Sequence, residues 1–293
     1  MFRTDVVNTL SLIENELSTT STRIEVIKKL RQLTFTDFAL LLFSMPNTNY
    51  PKISSKLPKM ADEDVQINWT GASGIRLLQQ SMDFVRTATF GFAEINRRGF
   101  KNSKILDFGI GYGRLARLFY YFVDEDMFYG VDPWDKSLEI CFNDGLTKNL
   151  YQSDYLPSSL PFENVKFDLI YAFSVFTHLS ERATCTAINT LRKYLTNDGV
   201  LLITIRPAEI WDLDANAKKQ NKSNLLKAMH ENEGFAFLSH NREISQDSTK
   251  DSTYGDTSIK LQWLSDNFPH LKIMKTDYSL SDNYQLYVFL QAN

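Results

Sequence analysis

The chain has 293 residues, of which 43% are hydrophobic, so it is long enough to bury one large core together with an appendage. Its formal net charge of −3 provides no basic excess, which argues against nucleic acid as a partner. It has two cysteines, no apolar run of ~18 residues and no secretory leader, which predicts a cytoplasmic protein without a disulfide framework or a membrane span.

Residues 1–44 have a helical pattern, because Val6, Leu10 and Ile13 recur at helical spacing. The Ser/Thr cluster at 18–22 can cap a following helix. We predict a helical appendage here. It could cover an active site, form an oligomer contact, or serve packing alone.

Residues 45–72 are punctuated by prolines and show no regular period, which predicts a linker or a loop that wraps the core. A helix with an apolar face is predicted to begin at Ser73, which can act as its N-cap. Residues 45–103 therefore contain a linker and one helix.

A strand that breaks into a glycine turn comes next, and a helix is predicted after it over 112–123. The apolar strand contains Asp107, and Gly109, Gly111 and Gly113 alternate directly behind it. Glycine lacks Cβ, so its backbone can adopt positive φ and let a ligand approach closely, while the following helix offers unpaired N–H groups. This segment predicts a nucleotide-binding turn.

A dinucleotide-binding G-x-G-x-x-G/A fingerprint also fits one frame of this turn, as Gly111, Gly113 and Ala116. That frame leaves Asp107 and Gly109 unexplained, and a P-loop is excluded because no Gly-Lys-Ser/Thr follows. An NAD-dependent oxidoreductase is therefore the first alternative.

The second predicted strand, 127–131, ends in Asp132, followed by Pro133 and Trp134. An acid about 20 residues beyond the glycines is where doubly wound folds bind a ribose diol, and one carboxylate can accept from both hydroxyls. The alternative interpretation is that Asp132 has no ligand and only starts a turn before Pro133. Trp134 could pack on adenine or under the following helix.

Strands and helices alternate from 104 to 206, which predicts a parallel sheet with right-handed crossovers. The loop after strand 149–153 carries Asp154 and Tyr155, and the fourth strand, 166–173, leads into Ser-Val-Phe-Thr-His-Leu at 174–179. A helix over 180–195 and an apolar strand over 199–205 follow.

The string Asp-x-Gly-x-Gly-x-Gly from Asp107 to Gly113 resembles the first motif of class I S-adenosylmethionine-dependent methyltransferases. Residues 174–179 are similar to the end of the fourth strand in methyltransferases of bacterial polysaccharide and small-molecule pathways. The Asn/Asp-Pro-Pro-Tyr/Phe string of amino-group methylation is absent there, which disfavours DNA as the substrate. The resemblance is firm over 104–206 and loose over 45–103 and 235–293.

The resemblance implies an α/β fold, namely a Rossmann-like, doubly wound, seven-stranded methyltransferase sheet whose last strand is antiparallel. It implies S-adenosyl-L-methionine as the cofactor, covered by the helix that precedes the first strand. The residues that it places at the cofactor are Asp107, Gly109, Gly111, Gly113, Asp132, Pro133, Trp134, Asp154, Tyr155, Phe173 and Ser174. Asp154 would bind the adenine amino group, although loops commonly carry such acids.

The catalytic domain implied in this way covers 104–293 and contains a long polar insertion at 207–258, with a short strand at 235–238. Long loops in compact domains are usually functional lids or mobile segments. A helix over 258–267 and strands over 271–277 and 283–290 complete the chain.

Methylation of a hydroxyl requires a general base, and His178 is the candidate because it follows the fourth strand, where such folds open their cleft. A helix-start histidine that only caps or packs is the alternative. His240, Asp256 and Asp282 are weaker candidates. Metal assistance could come from Asp212 and Asp214, but Asp-x-Asp is common in loops, and we predict no metal site.

We therefore predict an O-methyltransferase that acts on a sugar, a glycan or a small metabolite. The second alternative is a catalytically silent binding protein that retains the methyltransferase fold.

Overall fold

The computed structural model of the protein describes residues 2–240 and 252–293. Its helices are α1 (Thr4–Glu16), α2 (Arg23–Leu30), α3 (Phe35–Phe43), α4 (Pro51–Ser54), α5 (Glu63–Thr70), α6 (Gly74–Asn96), α7 (Arg114–Phe119), α8 (Asp135–Asn143), α9 (Glu181–Leu191), α10 (Ala215–Lys219), α11 (Ser223–Glu233) and α12 (Leu261–Asn267). Its strands are β1 (Ile105–Phe108), β2 (Phe128–Asp132), β3 (Leu150–Gln152), β4 (Phe167–Ala172), β5 (Leu195–Ile205), β6 (Phe235–Ser239), β7 (Gly255–Ile259), β8 (Leu271–Ser279) and β9 (Asp282–Ala292).

Seven of these strands form one sheet in the order β3-β2-β1-β4-β5-β9-β8. Strands β1 to β5 pair in parallel, whereas β9 is antiparallel to both β5 and β8. The predicted Rossmann-like α/β sheet with an antiparallel last strand is confirmed. The strand order reverses between β1 and β4, and such a switch point opens a crevice at the carboxyl ends of the strands.

Both faces of the sheet are covered, as the apolar runs predict. Leu169 packs into the core on the side of α6 and α7, whereas its neighbour Ile170 packs on the side of α9 and α12. Because successive strand residues point to opposite faces, one apolar strand contributes to both cores.

The N-terminal helices share the core of the sheet. Val6, Leu10 and Ile13 of α1 are buried in the same cluster as Ile105 and Tyr171. The apolar stripe of α1 thus packs inside the chain. Helix α2 begins with a capping box, in which the Thr22 hydroxyl accepts from the Glu25 amide.

Several element boundaries differ from the prediction. Helix α7 ends at Phe119 instead of 123, and Arg31 donates to the carbonyls of Tyr120 and Val123 where the helix was expected to continue. A contact from a distant helix therefore satisfies carbonyls that a longer helix would have used. Strand β5 begins at Leu195 instead of 199.

The segment 45–72 contains α4 and α5 and is more regular than a linker. Ser73 precedes α6 as expected, but its hydroxyl donates to Glu63 at 2.7 Å and does not cap the helix.

The insertion contains α10, α11 and the antiparallel hairpin of β6 and β7, while its residues 241–251 lie outside the described part of the chain. None of the helices in the described ranges combines the length and apolar content that a bilayer crossing needs.

Candidate active site

A cavity of about 480 Å³ opens at the carboxyl ends of β1 and β4, where the strand order reverses. This volume lies in the range of small-molecule sites. The residues that border it include Trp69, Asp107, Gly109, Gly111, Arg114, Phe173, Ser174, His178, Arg206, Tyr254, Asp282 and Gln285.

The glycine turn forms one wall of this cavity. Gly109, Gly111 and Gly113 all have positive φ, at 83°, 55° and 72°. A Cβ on Gly113 would lie 2.3 Å from Leu146 Cδ2, whereas a Cβ on Gly111 would meet no atom within 4 Å. Gly113 is thus required by the packing of the protein itself, while Gly111 leaves open space beside the cavity.

The amides of the turn are bonded inside the protein. Gly109 N–H donates to the Val131 carbonyl, Gly111 N–H to Asp132, and Gly113 N–H to the Ile110 carbonyl. Helix α7 has only six residues. These three glycine amides are therefore not available to a ligand, and the glycines contribute shape to the cavity.

Asp107 lies at the bottom of the cavity and is 3% exposed. Its Oδ2 accepts from the Tyr171 hydroxyl at 2.7 Å. Burial raises the pKa of the Asp107 carboxyl to about 8, so without a ligand the group is largely protonated at neutral pH. A cationic ligand group would favour its ionised form.

Asp132 ends β2 as predicted and is buried. Its Oδ2 accepts from Gly111 N–H and its Oδ1 from Trp134 N–H, both at 2.9 Å. Burial raises its pKa in spite of these bonds. Each carboxylate oxygen can accept more than one hydrogen bond, so both retain capacity for a diol.

Trp134 follows Pro133 and stacks on Trp69 of α5, with ring centroids 4.7 Å apart and planes 26° apart. Trp134 is one of the residues that the sequence resemblance places at the cofactor. In the loop after β3, Asp154 is exposed and Tyr155 is 41% exposed.

The structure brings only part of the predicted set to the cavity. Asp107, Gly109, Gly111, Phe173, Ser174 and His178 border it. The predicted residues outside its border are Gly113, Asp132, Pro133, Trp134, Asp154 and Tyr155.

Phe173 and Ser174 follow β4 and form the floor of the cavity next to the turn. Ser174 has a φ of 59°, and its N–H donates to the Thr204 hydroxyl at 2.7 Å. A positive φ at a residue with a side chain is strained, and such residues cluster at functional sites. The Arg114 guanidinium lies over the Phe173 ring, with its Cζ 4.8 Å from the ring centroid.

His178 lies on the opposite wall. Its Nδ1 is 2.8 Å from the Gly255 carbonyl, which can only accept, so the proton is assigned to Nδ1 and the lone pair to Nε2. Nε2 lies 3.4 Å from Nη2 of Arg206, and the Tyr254 ring is stacked on the imidazole at 5.3 Å. His178 therefore has the tautomer that a base at Nε2 requires.

Asp256 of β7 joins this wall to the insertion. Its carboxylate lies 2.6 Å from His240 Nε2, 3.0 Å from Arg206 Nη1 and 3.4 Å from His178 Nδ1. Burial alone would raise the pKa of Asp256, but the hydrogen bonds with His178 and His240 outweigh burial and hold it well below its ordinary value. Asp256 is therefore an anion that faces both imidazoles.

Sequence reasoning missed Arg114 and Arg206. Arg114 directly follows the last glycine of the motif, and Arg206 directly follows β5, next to the strand β4 that leads toward His178. The carboxyl ends of adjacent parallel strands meet at one edge, so Arg206 could have been found by this rule.

The carboxylates considered for a metal are used otherwise. Asp214 caps α10 by accepting from Ala217 N–H at 2.6 Å, and Asp212 pairs with Lys227. In the described ranges no group of three or more His, Cys, Asp or Glu side chains is arranged to hold a metal ion.

Residues 105–199 match the family model described as "Methyltransferase domain". No curated protein sequence matches the chain.

Among solved structures, the chain is similar to an S-adenosylmethionine-dependent methyltransferase from Clostridium acetobutylicum ATCC 824 (15% identity, 78% of this chain and 97% of that one, TM-score 0.49). It is similar to the plantazolicin methyltransferase BpumL in complex with SAH (15% identity, 91% and 97%, TM-score 0.47). It is also similar to the magnesium protoporphyrin IX methyltransferase ChlM from Synechocystis PCC 6803 with bound SAH (14% identity, 78% and 92%, TM-score 0.48).

Residues 105–199 thus match a methyltransferase domain, and the sheet order with the glycine turn at its switch point gives this segment the architecture of a nucleotide-binding α/β fold.

Proposed function

We propose that this enzyme methylates a hydroxyl of a polar acceptor, a sugar or a sugar unit of a glycan. The observation that carries this proposal is the wall opposite the glycine turn. Besides Ile210, Tyr254 and Tyr284, the lining there includes polar side chains, namely Gln80, His178, Arg206, Asp282 and Gln285. A hydroxylated acceptor can hydrogen-bond to such groups, among them the buried Gln285 Oε1, which has no partner among the described residues, whereas an apolar acceptor would leave that oxygen unpaired.

The residues present fit the cofactor. The open space at Gly111 admits a ligand close to the main chain, and Asp107 at the cavity floor can accept from an ammonium group. Asp132 is assigned to the ribose hydroxyls, with Trp134 and Asp154 on the adenine side. Because Trp69 and Trp134 are stacked on each other, this assignment requires the two rings to separate.

When bound, S-adenosylmethionine supplies a methyl group on a sulfonium, and transfer in line breaks the C–S bond as the new O–C bond forms. His178 Nε2 takes the proton of the acceptor hydroxyl. The resulting imidazolium faces the Asp256 carboxylate through Nδ1, 3.4 Å away, which stabilises the charge. The 3.4 Å contact from Arg206 to Nε2 is long for a hydrogen bond, so an acceptor hydroxyl can replace it.

The proposal is tested by transfer of a radiolabelled methyl group from S-adenosylmethionine to three acceptor panels: sugars and glycans, phenols, and peptides. We expect label in the sugar panel. Transfer to phenols or peptides alone would contradict the acceptor class. Binding of S-adenosylhomocysteine without transfer to any acceptor would instead favour the catalytically silent alternative.

A further inference from the structure

We propose that Asp282 and Gln285 bind an ammonium group of the acceptor, so that the acceptor is an amino sugar. This inference rests on the proposed function, because it assigns a second substituent of the sugar whose hydroxyl is methylated. Both residues lie near the start of β9 and border the cavity, and neither takes part in the proposed proton transfer.

Gln285 has an acceptor atom that the protein leaves unused. The residue is 7% exposed, and its Nε2 donates to Asp282 Oδ2 at 2.9 Å. Its Oε1 is buried and has no hydrogen-bond partner among the described residues. The reverse orientation of the amide would place this oxygen against the Asp282 carboxylate, so the bond to Asp282 fixes the assignment. Because an unpaired buried acceptor is destabilising, a ligand in the cavity is expected to supply the missing donor.

Asp282 adds a negative charge beside this oxygen. The residue is partly buried, and within the described part of the chain Arg114 and Arg206 act on its carboxylate through longer-range electrostatics without forming a salt bridge. Burial raises the pKa of the Asp282 carboxyl in spite of the hydrogen bond from Gln285. A cationic ligand group would therefore stabilise the ionised carboxylate.

A second Gln–Asp pair on the surface provides the comparison. On α12, Gln262 Nε2 donates to Asp266 Oδ1 at 2.7 Å, and both side chains are exposed. Water can complete the hydrogen bonds of that pair. Burial denies the Gln285 oxygen the same solvation, so the pair at the cavity needs a donor from elsewhere.

The two unsatisfied groups favour an ammonium over a hydroxyl. An ammonium carries three N–H donors and a positive charge, so a single group can bond to Gln285 Oε1 and to the Asp282 carboxylate together. A hydroxyl has one proton and would leave one of the two without a donor. An acetylated amine has one N–H and no charge. The pair therefore indicates a free amino group, while the hydroxyl that reacts faces His178.

The test uses pairs of methyl glycosides that differ at one ring position, which bears either a hydroxyl or an amino group. Transfer of radiolabel measures kcat/KM for the wild type, Asp282→Asn, Gln285→Met and Asp266→Asn. We expect the wild type to prefer the amino member of one pair by about 10- to 100-fold, because it gains charge-assisted hydrogen bonds. Asp282→Asn should reduce this preference to within about three-fold, with a smaller reduction in Gln285→Met. Asp266→Asn is the matched surface control and should keep the full preference.

Equal kcat/KM within every pair would overturn the proposal, as would a preference that persists in Asp282→Asn. Mass spectrometry of the product locates the methyl group, and a methyl group on nitrogen would contradict the role of the ammonium as an anchor. N-acetylation should abolish the preference in the wild type, which keeps the proposal falsifiable even if Asp282→Asn does not fold. Transfer to no sugar at all would contradict the proposed function itself, whereas transfer without an amino preference contradicts this inference alone.

Discussion

The two walls of the cavity are built in different ways. The wall that the proposed function gives to the cofactor, here called the cofactor wall, comes from one stretch, 107–114, in which a strand, a turn and a helix follow directly on each other. The wall that it gives to the acceptor, here called the acceptor wall, is assembled from His178 after β4, Arg206 after β5, and Asp282 at the start of β9. It is held in place by Asp256 from the insertion.

This difference separates what one contiguous stretch contributes to the cavity from what several distant segments contribute. The cofactor wall depends on backbone shape and on the carboxylate of Asp107. The acceptor wall depends on an ion cluster that joins four separate segments. We therefore expect changes at the first wall to alter cofactor affinity and changes at the second to alter turnover.

The largest expected effect is on the acceptor wall. His178→Gln removes the proposed base, so turnover should fall by about 10²–10⁴ while S-adenosylhomocysteine affinity is retained. Radiolabel transfer and calorimetry measure the two quantities. His240→Gln, which removes the other imidazole that contacts Asp256, should lower turnover by less. A parallel loss of cofactor affinity in His178→Gln would indicate a structural role instead.

Substitutions at two glycines of the same turn distinguish an effect on stability from an effect on ligand binding. Gly113→Ala places a Cβ against Leu146 at positive φ, and we expect it to lower the free energy of unfolding by roughly 2–4 kcal/mol. Gly111→Ala meets no protein atom, so its loss should be about 1–2 kcal/mol, the expense of the backbone conformation. Denaturant unfolding measures both values.

For cofactor binding by the folded protein, we expect the larger effect from Gly111→Ala and the smaller one from Gly113→Ala. Gly111→Ala fills space that the proposal gives to the cofactor, so its S-adenosylhomocysteine affinity should drop although the protein remains folded. Full affinity in Gly111→Ala would contradict close approach of the cofactor to this turn.

Asp132→Ala should weaken S-adenosylhomocysteine by at least ~1.5 kcal/mol, because charge-assisted hydrogen bonds to the ribose are lost. Asp154→Ala should have a smaller effect, since Asp154 is exposed in the loop after β3. Calorimetry on both variants, with thermal unfolding as a check on Asp132→Ala, tests the order. A larger loss in Asp154→Ala would reverse the assignment of these acids.

A further effect depends on pH. The folded pKa of Asp107 is raised from 3.8 to about 8, so folding favours its protonated form, and its contribution to stability is lost as pH rises through that window. Asp107→Asn removes the titrating carboxyl group, so the variant does not lose this stability as the pH rises. Its free energy of unfolding relative to the wild type should therefore increase from pH 5 to pH 8 in urea unfolding. A difference that does not depend on pH would show that Asp107 does not titrate in this window.

Local patterns were sufficient for the sheet and for the position of the glycine turn. The alternating strands and helices predicted the parallel sheet, and Asp107, the glycines and Asp132 fell at the ends of β1 and β2 as expected. These features repeat along the chain with the periods of strands and helices, which a sequence shows directly.

The rest was decided by contacts between residues far apart in the chain. The end of α7 depends on Arg31, and the tautomer of His178 on the Gly255 carbonyl. The stack of Trp69 on Trp134 depends on where α5 packs. No period or spacing marks such contacts, because each requires that two segments first be brought together by the folded core. Sequence therefore determined where the cavity opens, and tertiary structure decided which side chains face each other across it.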